Sequence, residues 1–175
     1  MIPAFRYHPD PIGTGSIKAS DVVCRCCGQK RGFIYAGSVY ARDPLRDSIC
    51  PWCIADGAAA AKFDAMFSDD TPLAEANLSG EIIDEVTLRT PGYNSWQQEV
   101  WLSCCEDACE YHGDAPLAEL QNLKGDSLTR TLLAWHWREP DWHKFVRSYQ
   151  PGGNPVVYKF VCRHCGTHKY AVDFT

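Results

Sequence analysis

The stretch from Cys24 to Cys53 constrains this chain more than any other. It reads C-R-C-C-G-Q-K-R-G-F-I-Y-A-G-S-V-Y-A-R-D-P-L-R-D-S-I-C-P-W-C, with Cys-x-x-Cys pairs at Cys24/Cys27 and Cys50/Cys53 bracketing 22 residues. Thiolates bind Zn²⁺ tightly and complete a structural site as four tetrahedral ligands. Two such pairs at this separation predict a four-cysteine zinc site. Gly28, directly after Cys27, allows the positive φ that turns backbone amides towards a sulfur.

The residues between the pairs predict the local fold. Gly32 to Tyr40 is rich in aromatic and β-branched side chains, with Gly37 near its middle, which is a hairpin pattern. Cys50-Pro-Trp-Cys53 then runs into helix-forming residues from Ala58 to Phe63. Cys53 falls at a helix start, where free amides and the helix dipole favour a thiolate. Gly57 is the weak point of that helix, at a cost of about 1 kcal/mol. The order of knuckle, hairpin and ligand-bearing helix resembles the treble-clef zinc arrangement.

A second knuckle, Cys162-Arg-His-Cys165-Gly, lies between Val156–Val161 and His168–Phe174, which read as two strands. Its expected partners are Cys105 and Cys109, at the end of a strand predicted over residues 98–104. His112 is a candidate to replace one sulfur. Strand alternation points Cys104 away from Cys105, so Cys104 reads as a buried free thiol, and Cys26 has the same reading. Two Zn²⁺ per chain are therefore expected. His8, alone before Pro9, reads as a packing or surface residue rather than a ligand.

Elsewhere the pattern is mixed. Pro3, Pro9, Pro11, Gly13 and Gly15 predict an irregular opening arm. Glu81 to Thr90 reads as a helix stopped by Pro91. Residues 117–123, 128–137 and 142–149 are helical by spacing, with Leu128, Leu132, Trp135 and Phe145 as core. The expected fold class is α+β. Residues 1–70 form the arm and treble-clef-like module, and residues 71–175 form a second zinc-tied half.

Composition excludes some classes. Twenty-two acidic against 17 basic side chains give a net charge of -5, which disfavours sequence-independent binding to phosphate backbones. Met1-Ile-Pro-Ala-Phe-Arg lacks the basic start and apolar core of a signal peptide, and no apolar run reaches the length of a membrane span. The ten cysteines are then expected in a reducing cytoplasm, as metal ligands rather than disulfides. Four thiolates close a zinc site and leave no position for water, so no catalysis is expected there. The nuclease version of a treble clef needs histidines in the module, and none occurs between His8 and His112. Neither G-x-S-x-G nor a phosphate-binding glycine loop is present. His136 and His143 read as packed or surface residues. A non-enzymatic protein is expected.

F-R-Y-H-P-D-P-I-G-T-G, C-P-W-C-I-A-D-G, R-T-P-G-Y-N-S-W-Q-Q-E and Y-K-F-V-C-R-H-C-G together resemble the CbrC family, across nearly the whole chain. The resemblance implies the paired cysteines and tolerance to a nuclease-type bacterial toxin, with no catalytic residues. On this reading the partner is the toxin. It would be met through an acidic surface at Glu106, Asp107 and Glu110, with Asp114; another acidic set, Glu81, Asp84 and Glu85, lies on the segment before the strand. The alternative is a nucleic-acid-binding zinc protein. Lys30, Arg31, Lys159, Arg163, His164, His168 and Lys169 would line its face, and Tyr35 or Tyr158 would stack on bases.

Overall fold

The computed structural model describes residues 1–174; Thr175, the last residue of the expected second half, lies outside the described residues. The fold is α+β, as expected. Strand β1 (Ile17–Ala19) pairs antiparallel with β2 (Phe33–Tyr35), placing Ile17 opposite Tyr35. The hairpin expected within residues 32–40 is therefore not formed. Phe33–Tyr35 pairs upstream of the knuckle instead, where Ile17 and Ile34 bury their side chains around Cys24. Downstream, Tyr40 bridges to Met66.

Helices α1 (Pro51–Ala55) and α2 (Ala58–Phe63) are separate because Gly57 takes φ 76°. A left-handed residue ends one helix and starts another, and glycine does so without a Cβ clash. Lys62 reaches back from α2 and donates to Arg25 O at 3.2 Å and Cys26 O at 2.7 Å, tying α2 to the knuckle. After α3 (Thr71–Glu75), the predicted helix appears as α4 (Gly80–Arg89), ended at Pro91.

The strand expected over residues 98–104 shrinks to β3 (Ser103–Cys104), paired with β4 (Asp107–Ala108). Upstream of it, the Val100 amide donates to the Tyr93 hydroxyl at 2.9 Å rather than to a neighbouring strand. The strand that lies beside the C-terminal hairpin is β5 (Glu110–Asp114). It flanks β6 (Val156–Val161), which pairs with β7 (His168–Asp173) in a three-stranded antiparallel sheet.

The central strand β6 feeds two cores because its side chains alternate. Val157 packs with Tyr170, Val172, Leu120, Trp142 and Val146 beneath α5 (Leu117–Gln121), α6 (Gly125–Ala134) and α7 (Glu139–Ser148). Tyr158 and Phe160 pack with Tyr93, Trp101 and Tyr111 on the other face. Tyr93 and Tyr111 stack there at 4.4 Å. Of the expected core residues, Leu128 is buried, and Leu132, Trp135 and Phe145 are half-buried against the helical cluster.

The opening arm is irregular but not loose. Tyr7 and His8 are both fully buried. Pro91 O lies 2.7 Å from His8 Nδ1 and can only accept, so Nδ1 carries the proton; the Thr14 hydroxyl, 2.7 Å from Nε2, then donates to the bare nitrogen. Burial lowers the His8 pKa to about 4 and keeps the ring neutral. His8 is thus a packing residue.

Candidate metal centres

Cys24, Cys27, Cys50 and Cys53 converge so that their sulfurs lie within 4.8 Å of one another. The knuckle holds the first pair: Gly28 N donates to Cys24 O at 2.8 Å, and Cys24 N to Gln29 O at 2.9 Å. Gly28 sits at φ 70°, as its position after Cys27 predicts. The second pair comes from the start of α1, where Cys50 is the N-cap and its amide donates to Cys24 Sγ at 3.2 Å. Three sulfur–sulfur distances are 4.0, 3.9 and 3.6 Å, for Cys24–Cys53, Cys27–Cys50 and Cys50–Cys53. A tetrahedron with metal–sulfur bonds of about 2.3 Å has edges of about 3.8 Å, so the spacing fits one shared ion and is far too long for a disulfide. Burial opposes the Cys24 thiolate, but the amides of Cys27, Cys50 and Cys26 outweigh it and bring the thiol to about 7. Cys24, Cys50 and Cys53 are buried and Cys27 is half-buried.

The second group is Cys104, Cys105, Cys162 and Cys165. Its knuckle repeats the first: Gly166 N donates to Cys162 O at 3.0 Å, and Cys162 N to Thr167 O at 2.9 Å. Cys104 Sγ lies 3.8 Å from both Cys105 Sγ and Cys165 Sγ, again the edge of a tetrahedron. Hydrogen bonds from the Thr167 side chain and amide lower the Cys165 thiol to about 6. Exposure separates the two centres. In the second, only Cys162 is buried, and Cys105 and Cys165 are exposed.

The structure thus brings together seven of the eight expected ligands and exchanges one. Cys109 is not in the group; it is fully buried in the aromatic core, where burial raises its pKa to about 12. Cys104 takes its place. The strand does not continue through it, because Cys105 and Glu106 adopt φ 53° and 59°. Two left-handed residues between Cys104 and Asp107 make a tight two-residue hairpin turn. That turn cancels the alternation and puts neighbouring sulfurs side by side. His112 lies elsewhere, 3.1 Å from Glu110. Cys26 is half-buried beside the first site.

The acidic surface expected at Glu106, Asp107 and Glu110 is not free. The Asp107 side chain is 5% exposed. It accepts from the Tyr7 hydroxyl at 2.7 Å, the Ala108 amide at 2.8 Å and His164 Nε2 at 2.9 Å, with Arg163 at 3.4 Å and Arg6 at 3.6 Å. Burial works against its ionisation, but the hydrogen bonds of Tyr7, His164 and Ala108, helped by Arg6, hold its pKa below the usual carboxylate value. Glu110 is paired with Arg163 at 3.3 Å. Of the three, only Glu106 is exposed. Asp107 instead pins the second knuckle, through Arg163 and His164, to the arm. Sequence reasoning missed this role because Tyr7 and Asp107 lie far apart along the chain. Of the expected basic face, Lys30 pairs with Asp21, and Lys159 and His168 pair with Glu119; Tyr35 and Tyr158 are buried, so neither ring is placed to stack on a base.

A family model described as "Uncharacterised protein family (UPF0167)" matches residues 2–174. The chain belongs to this family. The resemblance to CbrC is corrected accordingly, and the toxin tolerance that it implied loses its support. Among UPF0167 relatives, the UPF0167 protein PA1536 of Pseudomonas aeruginosa is 51% identical, covering 99% of this chain and 98% of its own. The UPF0167 proteins Mb2317 of Mycobacterium bovis and MT2352 of Mycobacterium tuberculosis are each 41% identical, over 99% of this chain and 94% of theirs. No solved structure matches the chain. No helix among the described residues is long and apolar enough to cross a membrane.

Proposed function

We propose that this protein is a non-enzymatic zinc protein, in which two four-cysteine sites hold a binding scaffold in shape. The observation that carries this is the pair of four-cysteine groups, in which neighbouring sulfurs lie 3.6 to 4.0 Å apart, about the edge length of a zinc tetrahedron. Soft thiolate sets select zinc over the hard cations. Four thiolates fill the coordination sphere, so neither ion has an open position for a reacting water. The first site is read as treble-clef-like, with a knuckle on one side and the N-terminus of α1 on the other. Cytoplasmic residence fits the reading, because the thiols must stay reduced to bind metal.

The test is metal content. Protein purified without chelators should contain two zinc ions per chain, and cobalt substitution should give the absorption of tetrahedral thiolate coordination at both sites. Metal-free protein of native fold would end the reading; iron at either site would replace zinc by another thiolate metal.

A further inference from the structure

A pocket of about 390 Å³ opens beside the second cysteine group. Its size falls within the range of small-molecule sites, about 300–1,000 Å³. Val100, Leu102, Ala134 and Trp135 supply apolar walls, and Cys104 forms part of one side. The Trp135 indole N–H donates to Tyr170 O at 2.7 Å, so the ring's polar handle is satisfied and its apolar face is left for a guest.

Charge selects the guest. Arg130, His168 and Lys169 line the pocket, and among the described residues no carboxylate does, in a chain whose net charge is -5. Glu119, the acid facing this region, is engaged by His168 Nδ1 at 2.7 Å, the Tyr170 hydroxyl at 2.6 Å and Lys159 at 2.8 Å. Lys169 donates one N–H to Ser103 O at 2.6 Å and keeps two. Arg130 is exposed, and its contact is a long one, 3.5 Å to Ser127 Oγ. Its planar fork suits a carboxylate bidentately.

We propose that this pocket binds a small amphipathic carboxylate, with its apolar body against Leu102 and Trp135 and its head on Arg130 and Lys169. The site goes beyond the metal reading and stands without it.

Calorimetric titration of the protein as purified tests this, with octanoate as the probe and 1-octanol and octylamine as neutral and cationic analogues of the same length. Octanoate should bind saturably at one site, octanol at least about tenfold more weakly, and octylamine not measurably. Arg130→Gln should weaken octanoate binding about tenfold or more, the loss of one charge-assisted contact. Ala134→Trp should fill the pocket and abolish binding. Both positions are exposed on α6, so the fold should tolerate both changes. Metal content measured in the same samples shows separately whether the zinc reading holds. The proposal is overturned by any of three results: no saturable octanoate binding, octylamine binding as tightly as octanoate, or either variant binding octanoate as the parent does.

Discussion

Cys104 and Cys109 carry the same thiol and lie in the same short segment, yet their surroundings assign them different chemistry. Cys109 is sealed among aromatic rings, and Cys104 meets two other sulfurs at 3.8 Å. Cys104→Ser should therefore lower the zinc content from two ions to one. Cys109→Ala should keep both and cost only packing, about 1–2 kcal/mol of unfolding free energy. Metal analysis and urea titration of the two variants check this; equal zinc loss would place the ligands wrongly. Six of the ligands were legible because a Cys-x-x-Cys pair is local, so spacing along the chain is spacing in space. Cys104 was not, because its sulfur is turned by left-handed backbone at Cys105 and Glu106. Residues with a Cβ do not announce that conformation.

Among the elements, the two knuckles share their backbone bonds but not their settings. The first is backed by α1, α2 and the buried Ile17, Ile34 and Ile54. The second rests on a two-residue strand pair and leaves Cys105 and Cys165 exposed. A chelator can reach the second centre directly, whereas the first must open. An opening event worth at least about 1.4 kcal/mol slows exchange tenfold. Zinc release to a chelating dye should then show two phases of equal amplitude, separated by about tenfold or more in rate. Cys165→Ser should remove the fast phase alone; a single phase in the parent would mean that exposure does not control release. Helix α4 and strands β6 and β7 were readable from periodicity and from their Pro and Gly boundaries. The strand expected over residues 98–104 was misread, because its aromatic and β-branched residues serve an irregular segment in which Trp101 donates its indole N–H to Cys109 O at 2.9 Å. Propensity registers burial as readily as it registers a ladder.

For the molecule as a whole, the arm is the tie. Tyr7 enters the aromatic core, Arg6 meets Glu85 at 3.4 Å, and His8 closes on Pro91 O. Folded His8 resists protonation until about pH 4, but the unfolded chain takes up that proton near the ordinary value of 6.5. Between those values unfolding binds a proton, so stability falls as pH falls. From pH 7 to pH 5 the loss assigned to His8 is about 2 kcal/mol. His8→Asn should be less stable than the parent at pH 7 but should lose about that much less on acidification. Urea titrations at pH 7, 6 and 5, with metal content checked at each, give the comparison; parallel losses in both proteins would exonerate His8.

The hydrogen bond from Tyr7 to Asp107, and the Arg163 guanidinium 5.7 Å from the Tyr7 ring, also order events during synthesis. The first cysteine group can close once Cys53 has left the ribosome. Tyr7 has to wait for Arg163, which at about 5–20 residues per second arrives about 5–22 s later. Throughout that interval the nascent chain carries one closed cysteine group and an undocked aromatic arm. The contact that joins the two ends of the protein is among the last that translation makes available.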